Sequence, residues 1–312
     1  NNKIKKSTPY DFMAITDHAE YFGVMPRLID LKDPLSKSAL AKRLQKNDPT
    51  AVMDILKTIL TSTGMPEFTD PKLVRDNWDN YVKVANKYND PGKFTTLIAY
   101  EWSSQPNSQN LHHNVFFRDD KGPDAVFSSF DSVKREDLWT YQEVQRAMGD
   151  ANISIPHNSN VSNSMMFPPR TSYGTPINRQ WAERYSNNTP VVEIIQTKGA
   201  SETNPALSPN DEFAGFEQGF KHLLGSGGVL SKVDYSFVRR ALIDGVGFQE
   251  MLGANPYKFG VVAGADAHNA FSANEEFNYS GVHGAPDNLL EPRTPPTGTA
   301  AAEPPPALGR PG

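Results

Sequence analysis

Asp11-Phe12-Met13-Ala14-Ile15-Thr16-Asp17-His18 climbs through a short apolar run and stops on an acid and an imidazole. The pattern reads as a buried parallel strand over 11–16 whose carboxyl end presents two polar side chains. In barrels and open α/β sheets, that end of the strands is where ligands bind. A strand running into a polar turn, with His18 capping the next segment, would explain the stretch alone. Four later segments that end the same way tip the balance.

Working outward, residues 19–47 are mixed and carry Pro26 and Pro34, so they read as loop with short helical pieces. Asp48-Pro49 and Asp70-Pro71 are cap-then-proline helix starts. The first is followed by Val52, Ile55, Leu56 and Ile59 at helical spacing, and the second by Leu73, Trp78, Tyr81, Val82 and Ala85. Phe94–Tyr100 is a second buried strand, ending on Glu101-Trp102. A short strand over 114–117 is entered through His112-His113, a helix follows over 136–148, and a strand over 153–155 ends on Pro156-His157-Asn158. Residues 158–178 are rich in Asn, Ser and Pro and read as a long loop lining or covering a site. A strand over 191–195 runs into Gln196, Thr197 and Lys198. Ser208-Pro209-Asn210-Asp211 has capping-box spacing and predicts a helix start. A helix over 233–252 precedes a last strand, 259–262, that leads to Asp266-Ala267-His268. There is no internal repeat. The order predicts a mainly parallel, barrel-like α/β sheet over 1–283. The Pro/Ala/Gly-rich segment 284–312 has the composition of a disordered tail.

The 312 residues contain no cysteine, so disulfides and thiolate metal sites are excluded, and a metal would sit on His, Asp and Glu. Absence of cysteine fits a periplasmic or secreted protein. A net charge of −5 gives no reason to expect a nucleic-acid partner, and no apolar run approaches membrane-spanning length. The chain opens on Asn1 without a signal peptide and soon reaches a site-like strand end, so an upstream piece is expected to be missing. Oligomeric state is open.

Metal-type ligands gather at strand ends: Asp17-His18, Glu101, His112 or His113, His157, and Asp266 with His268. Imidazole nitrogen and carboxylate oxygen suit a hard-to-borderline divalent ion, and one Glu among several His suits a carboxylate bridging two ions. Asp266 and His268, two apart on an extended chain, face the same side. Each has a bland alternative. His18 and His157 fit ordinary turns, Glu101 fits a structural ion pair, and one of His112 and His113 reads as surface or supporting. His222 reads as structural, and His283 receives no role.

Ile15-Thr16-Asp17-His18, Ala99-Tyr100-Glu101-Trp102, Leu111-His112-His113-Asn114, Ile155-Pro156-His157-Asn158 and Gly264-Ala265-Asp266-Ala267-His268 resemble the metal motifs of the polymerase-and-histidinol-phosphatase (PHP) superfamily. More closely, residues 10–283 resemble the domain of unknown function family 3604. That likeness includes Val192–Gly199, Ser208–Phe213 and Asn255–Gly260. The resemblance implies a distorted (β/α)7 barrel, here lacking its first strand, with two or three divalent ions (manganese, zinc or iron). It implies metal ligation by His18, Glu101, His112, His157, Asp266 and His268, with Glu101 bridging and His112 chosen because it directly follows Leu111. The superfamily's first-strand His-x-His is not in this chain, so only the set Glu101, His112 and His157 is complete.

The expected function is metal-dependent hydrolysis of a small anionic phosphate or sulfate ester, with no nucleic acid or membrane partner. Lys198 and Arg170 are candidate anion clamps, Asp17 a residue that orients a ligand imidazole, and Glu193 either the same or a local partner of Lys198. The alternatives are a catalytically impaired metal- or anion-binding domain and an inactive fragment.

Overall fold

A computed structural model describes residues 8–219 and 230–268. His222, His283 and the 284–312 segment lie outside the described residues. A four-stranded sheet has the order β1 (Phe12–Ala14), β2 (Thr95–Trp102), β3 (His113–Phe117), β4 (Asn152–Pro156). Only β1 and β2 are parallel; β2/β3 and β3/β4 are antiparallel. A smaller sheet places β5 (Val191–Gln196) between β6 (Gly199–Ala200) and a parallel β7 (Gly260–Ala263).

The expected (β/α)7 barrel is therefore corrected to a mixed α/β fold with two small sheets and, among the described residues, no closed barrel. The reason is partly connection length. Residues 103–112 link β2 to β3 through a single 3₁₀ turn, Pro106–Ser108. That is too short for the crossover that parallel neighbours require, so β3 returns antiparallel. Closure also needs an unbroken hydrogen-bond ladder. Here β5 lies beside β4 without a ladder, and the outer edges of β1 and β7 take no strand among the described residues.

The cap-then-proline signals hold. α3 (Pro49–Leu60) and α4 (Pro71–Tyr88) start on Asp48 and Asp70, whose carboxylates accept from the N–H of Thr50 and Leu73. α1 (Val24–Ile29) and α2 (Ala39–Gln45) are the short helical pieces, while α5 (Arg135–Met148) and α7 (Val238–Leu252) close on left-handed Gly149 and Gly253. α6 (Arg179–Asn188), capped by Asn178, has no counterpart among the expected elements; it buries Trp181, Ala182 and Tyr185. The capping-box signal at Ser208 leads only to turns.

α4 packs on β2 and sets the height of the β1 tip. Trp78 is buried, stacks on Tyr81 at 5.2 Å between centroids, meets Phe22 and Tyr100 edge-on, and donates Nε1–H to the Pro123 carbonyl at 2.8 Å. The Tyr81 hydroxyl donates to the Ile15 carbonyl (2.7 Å) and accepts from the Ala99 N–H (3.3 Å), joining β1 to β2 just below Asp17 and His18. The loop 158–178 is held from inside: buried Arg135 donates to the carbonyls of Met165 and Met166, and Ser162 bonds Ser236. No helix of the described residues is long and apolar enough to cross a membrane.

Trp78→Ala should destabilise the fold by about 3–5 kcal/mol, because it empties the joint between α4 and the sheet. Val52→Ala, on the exposed face of α3, should stay within about 0.5 kcal/mol. Urea unfolding of both variants checks the contrast; a mild Trp78→Ala would show that α4 does not brace the sheet.

Candidate functional site

The strand tips converge on Glu101, the next-to-last residue of β2, which is 5 % exposed. β1 continues past its last ladder bond to meet it. The Glu101 N–H donates to the Asp17 carbonyl at 2.9 Å, the Ala19 N–H to the Glu101 carbonyl at 2.8 Å, and His18 and Glu101 form an isolated parallel bridge. The pairing brings the His18 Nδ1 to 3.5 Å from Glu101 Oε1 and into a hydrogen bond with the Ser103 hydroxyl. From the connection to β3, His112 places Nδ1 2.6 Å from the same Oε1, with its Nε2 3.2 Å from the Gln105 side-chain nitrogen.

His157 follows β4. Its Nδ1 lies 2.8 Å from Glu193 Oε2, and its Nε2 lies 3.9 Å from Glu101 Oε2 and 3.7 Å from Asp266 Oδ1. Asp266 accepts from Lys198 Nζ and, at 3.0 Å, from Gln196 Nε2. The His268 Nδ1 lies 2.8 Å from the Asp266 carbonyl oxygen and 3.8 Å from its Oδ1. Asp17, His18, Glu101, His157, Glu193, Asp266 and His268 all line one cleft of about 1430 Å³. The rest of its lining is mostly apolar, including Met13, Leu97, Phe116, Ile153, Ile155 and Val191, with Asp11, Arg118 and Arg146 also on it. His112 and Lys198 stand behind this lining and touch it through Glu101 and Asp266.

Burial would raise the Glu101 pKa, but the imidazoles of His18, His112 and His157 hold it well below the usual carboxylate range. Burial pushes His112 down and outweighs the attraction of Glu101. For His157 the balance reverses: burial lowers its pKa, yet Glu193 and Glu101 together raise it. Burial raises Asp17, with His18 opposing, and lowers Lys198 against the pull of Glu101 and Glu193.

The structure thus brings together His18, Glu101, His112, His157, Asp266, His268, Asp17 and Lys198. Arg170 is apart: it is exposed, donates to the Gly174 carbonyl at 2.9 Å, and does not line the cleft. Glu193 pairs with His157, whereas Lys198 goes to Asp266. Neither His112 nor His113 is at the surface. Ser103, Gln105 and Gln196 are site residues that the sequence pattern does not single out. Only their position beside a ligand-type residue at a strand end could have flagged them.

Among the described residues, no three His, Asp or Glu side chains stand at the spacing of a formed ion site. The donor set nevertheless fits a divalent ion. It is all nitrogen and oxygen, it is largely buried, and the His157 Nε2 faces two carboxylates at distances too long for hydrogen bonds.

The family described as protein of unknown function (DUF3604) matches residues 1–303, and the chain belongs to it. No curated protein and no solved structure matches the chain.

His113 makes a testable contrast with its neighbour. It is fully buried, packs edge-on against Trp102, and has a pKa pushed down to about 3 by burial and then by Arg135. The unfolded chain binds a proton here near pH 6.5 that the folded chain refuses, so the stability this group contributes is complete above that pH and falls as pH drops towards 3. Between about pH 6 and 4, urea unfolding of the wild type should lose about 1.4 kcal/mol per pH unit more than His113→Gln. Parallel curves would mean that His113 is not held neutral.

Proposed function

We propose that this DUF3604 chain is a metal-dependent hydrolase of the PHP type that cleaves phosphate or sulfate esters. The observation that carries the reading is the His157 Nε2, 3.9 Å from Glu101 and 3.7 Å from Asp266, on the lining of the cleft. A nitrogen lone pair and two buried carboxylates around one space form a donor set for a cation. Charge points the same way. Four carboxylates (Asp17, Glu101, Glu193 and Asp266) stand among the histidines on the cleft lining, with Lys198 on Asp266, while Asp11, Arg118 and Arg146 line the cleft elsewhere.

Glu101, His157 and Asp266, with His112 on Glu101, would hold one ion; His268 and His18 would hold a neighbour. Manganese, zinc and iron all suit this ligation. A bound divalent ion supplies Lewis acidity and makes water a competent nucleophile near neutral pH. The chain's own residues do the rest. Glu101, His112 and His157 are exposed by 5 % or less, so water screens the charge interactions among them little. Lys198, once Asp266 is engaged elsewhere, is a cation beside the ligand cluster and can meet the negative charge that grows on an ester's oxygens. Asp17, with its pKa raised by burial, holds a proton to higher pH than an ordinary aspartate and can release it to a leaving oxygen.

His157→Ala should lose bound metal and ester turnover together, each by at least about tenfold. Elemental analysis of the purified protein and its variant, alongside a panel of aryl phosphate and aryl sulfate esters with and without chelator, checks this. Unchanged metal content in the variant, or turnover indifferent to chelator, would sink the reading.

A further inference from the structure

We infer that Glu193 is a positioning residue that fixes the neutral His157 ring with its proton on Nδ1, leaving Nε2 bare towards Glu101 and Asp266. The inference rests on the hydrolase reading, in which this end of the cleft holds a divalent ion, and it names the group that prepares one ligand for it.

Glu193 lies in the middle of β5, inside the apolar run Val191–Ile195, and is 4 % exposed. A carboxylate so placed is expensive unless its oxygens are bonded. Both are. Oε2 stands 2.8 Å from the His157 Nδ1, and Oε1 accepts the Asn158 N–H at 3.2 Å. Asn158 has a left-handed backbone, φ 56°, so the chain turns directly after the histidine and aims that N–H back at the carboxylate. The ring and the backbone beside it are gripped by one side chain.

Space on the opposite side of Glu193 is also arranged. A side-chain carbon at Gly264 would fall 3.1 Å from Oε2, so the carboxylate keeps its place because residue 264 has no side chain. The β5/β7 register shifts between Glu193 and Ile195, which accommodates the Gly264 N–H bonding the Ile195 carbonyl at 3.2 Å. Lys198 does not compete, since its ammonium goes to Asp266.

The chemistry of the pair then decides the tautomer. An ionised carboxylate only accepts, and a neutral imidazole has one N–H. The hydrogen bond to Glu193 puts that proton on Nδ1, so the second nitrogen is a lone pair. A carboxylate behind a ligand imidazole also raises its basicity, and loss of such a partner typically weakens metal binding about 10–100-fold.

A purely structural Glu193 would tie β4 to β5 without selecting a tautomer. Nitrogen-15 NMR of histidine-labelled, metal-free full chain separates the two. It is best done at about pH 9, well above the ordinary imidazole pKa of roughly 6.5, with the His157 signals identified by their loss in His157→Ala. The wild type should show His157 protonated on Nδ1. Glu193→Gln, whose amide can donate or accept, should populate the Nε2–H form, and its Mn²⁺ dissociation constant by calorimetry should rise about 10–100-fold. Gly264→Ala, which keeps Glu193 but crowds it, should move both readouts the same way and decides the matter if Glu193→Gln does not fold. A wild-type ring protonated on Nε2, or variants with unchanged tautomer and unchanged Mn²⁺ affinity, would overturn the inference. If instead His157→Ala keeps its metal, the hydrolase reading falls, while the tautomer measurement still judges Glu193.

Discussion

One buried carboxylate imposes its needs on the elements around it. Glu101 sits at the covered end of β2, where water cannot screen it, and an isolated charge there would be prohibitive. Its oxygens are met by imidazoles from three other parts of the chain: His18 beyond β1, His112 before β3, and His157 after β4. Each strand of the larger sheet must therefore end, or begin, at the same level. The backbone bonds that carry β1 past its ladder, from Glu101 N–H to Asp17 and from Ala19 N–H to Glu101, are the local device that achieves this.

The two histidines most tightly tied to acids answer to opposite forces. His112 shares Glu101 with two other rings and is lowered by burial, so its neutral form is favoured. His157 faces carboxylates on two sides and is raised. The carboxylates around His157 favour its protonated form relative to an ordinary imidazole, and the ring lies close to both Glu101 and Asp266. A divalent ion and a proton on this ring compete for the same carboxylates. Lys198 sits in an analogous relation to Asp266, a resident cation on an acid that another cation would want.

Much of the candidate site was legible in the sequence because it depends on local order: an apolar run followed at once by Asp, Glu or His. Asp17-His18, Glu101, His157 and Asp266-Ala267-His268 stand out that way, as do the helices that begin at Asp48-Pro49 and Asp70-Pro71. The features that sequence does not reveal depend on non-local pairing. Strand direction at β3 is set by the short 103–112 link and by the partners on both sides, and a five-residue strand does not encode direction. Barrel closure depends on edges meeting across the molecule, and β4 and β5 run together without a ladder. α6 is hidden because its polar positions Arg179, Gln180, Glu183 and Arg184 succeed a loop-like stretch and dilute the stripe of Trp181, Ala182 and Tyr185. Arg170 had only loop membership in its favour, and position along a loop does not tell where a long side chain lands.

The open geometry has a consequence for how the site is held. In a closed barrel, each ligand-bearing strand is pinned on both edges. Here β1 is pinned to β2 alone and β7 to β5 alone among the described residues, and all four residues of β7 are exposed. Yet β1 carries His18, and β7 leads to Asp266 and His268. The ligands on the best-braced strands, Glu101 on β2 and the flanking His112 and His157, are buried to 5 % exposure or less, whereas the His18 side chain is 47 % exposed and that of His268 37 %. Packing therefore orders the centre from the inside outward. Glu101, His112 and His157 are fixed by the sheet itself, and the outer groups take their positions from bonds to that core: His18 from Glu101 and Ser103, Asp266 from Gln196 and Lys198. An ion held by the inner set would meet preformed groups, while one held by the outer set would have to order its own ligands and so bind more weakly.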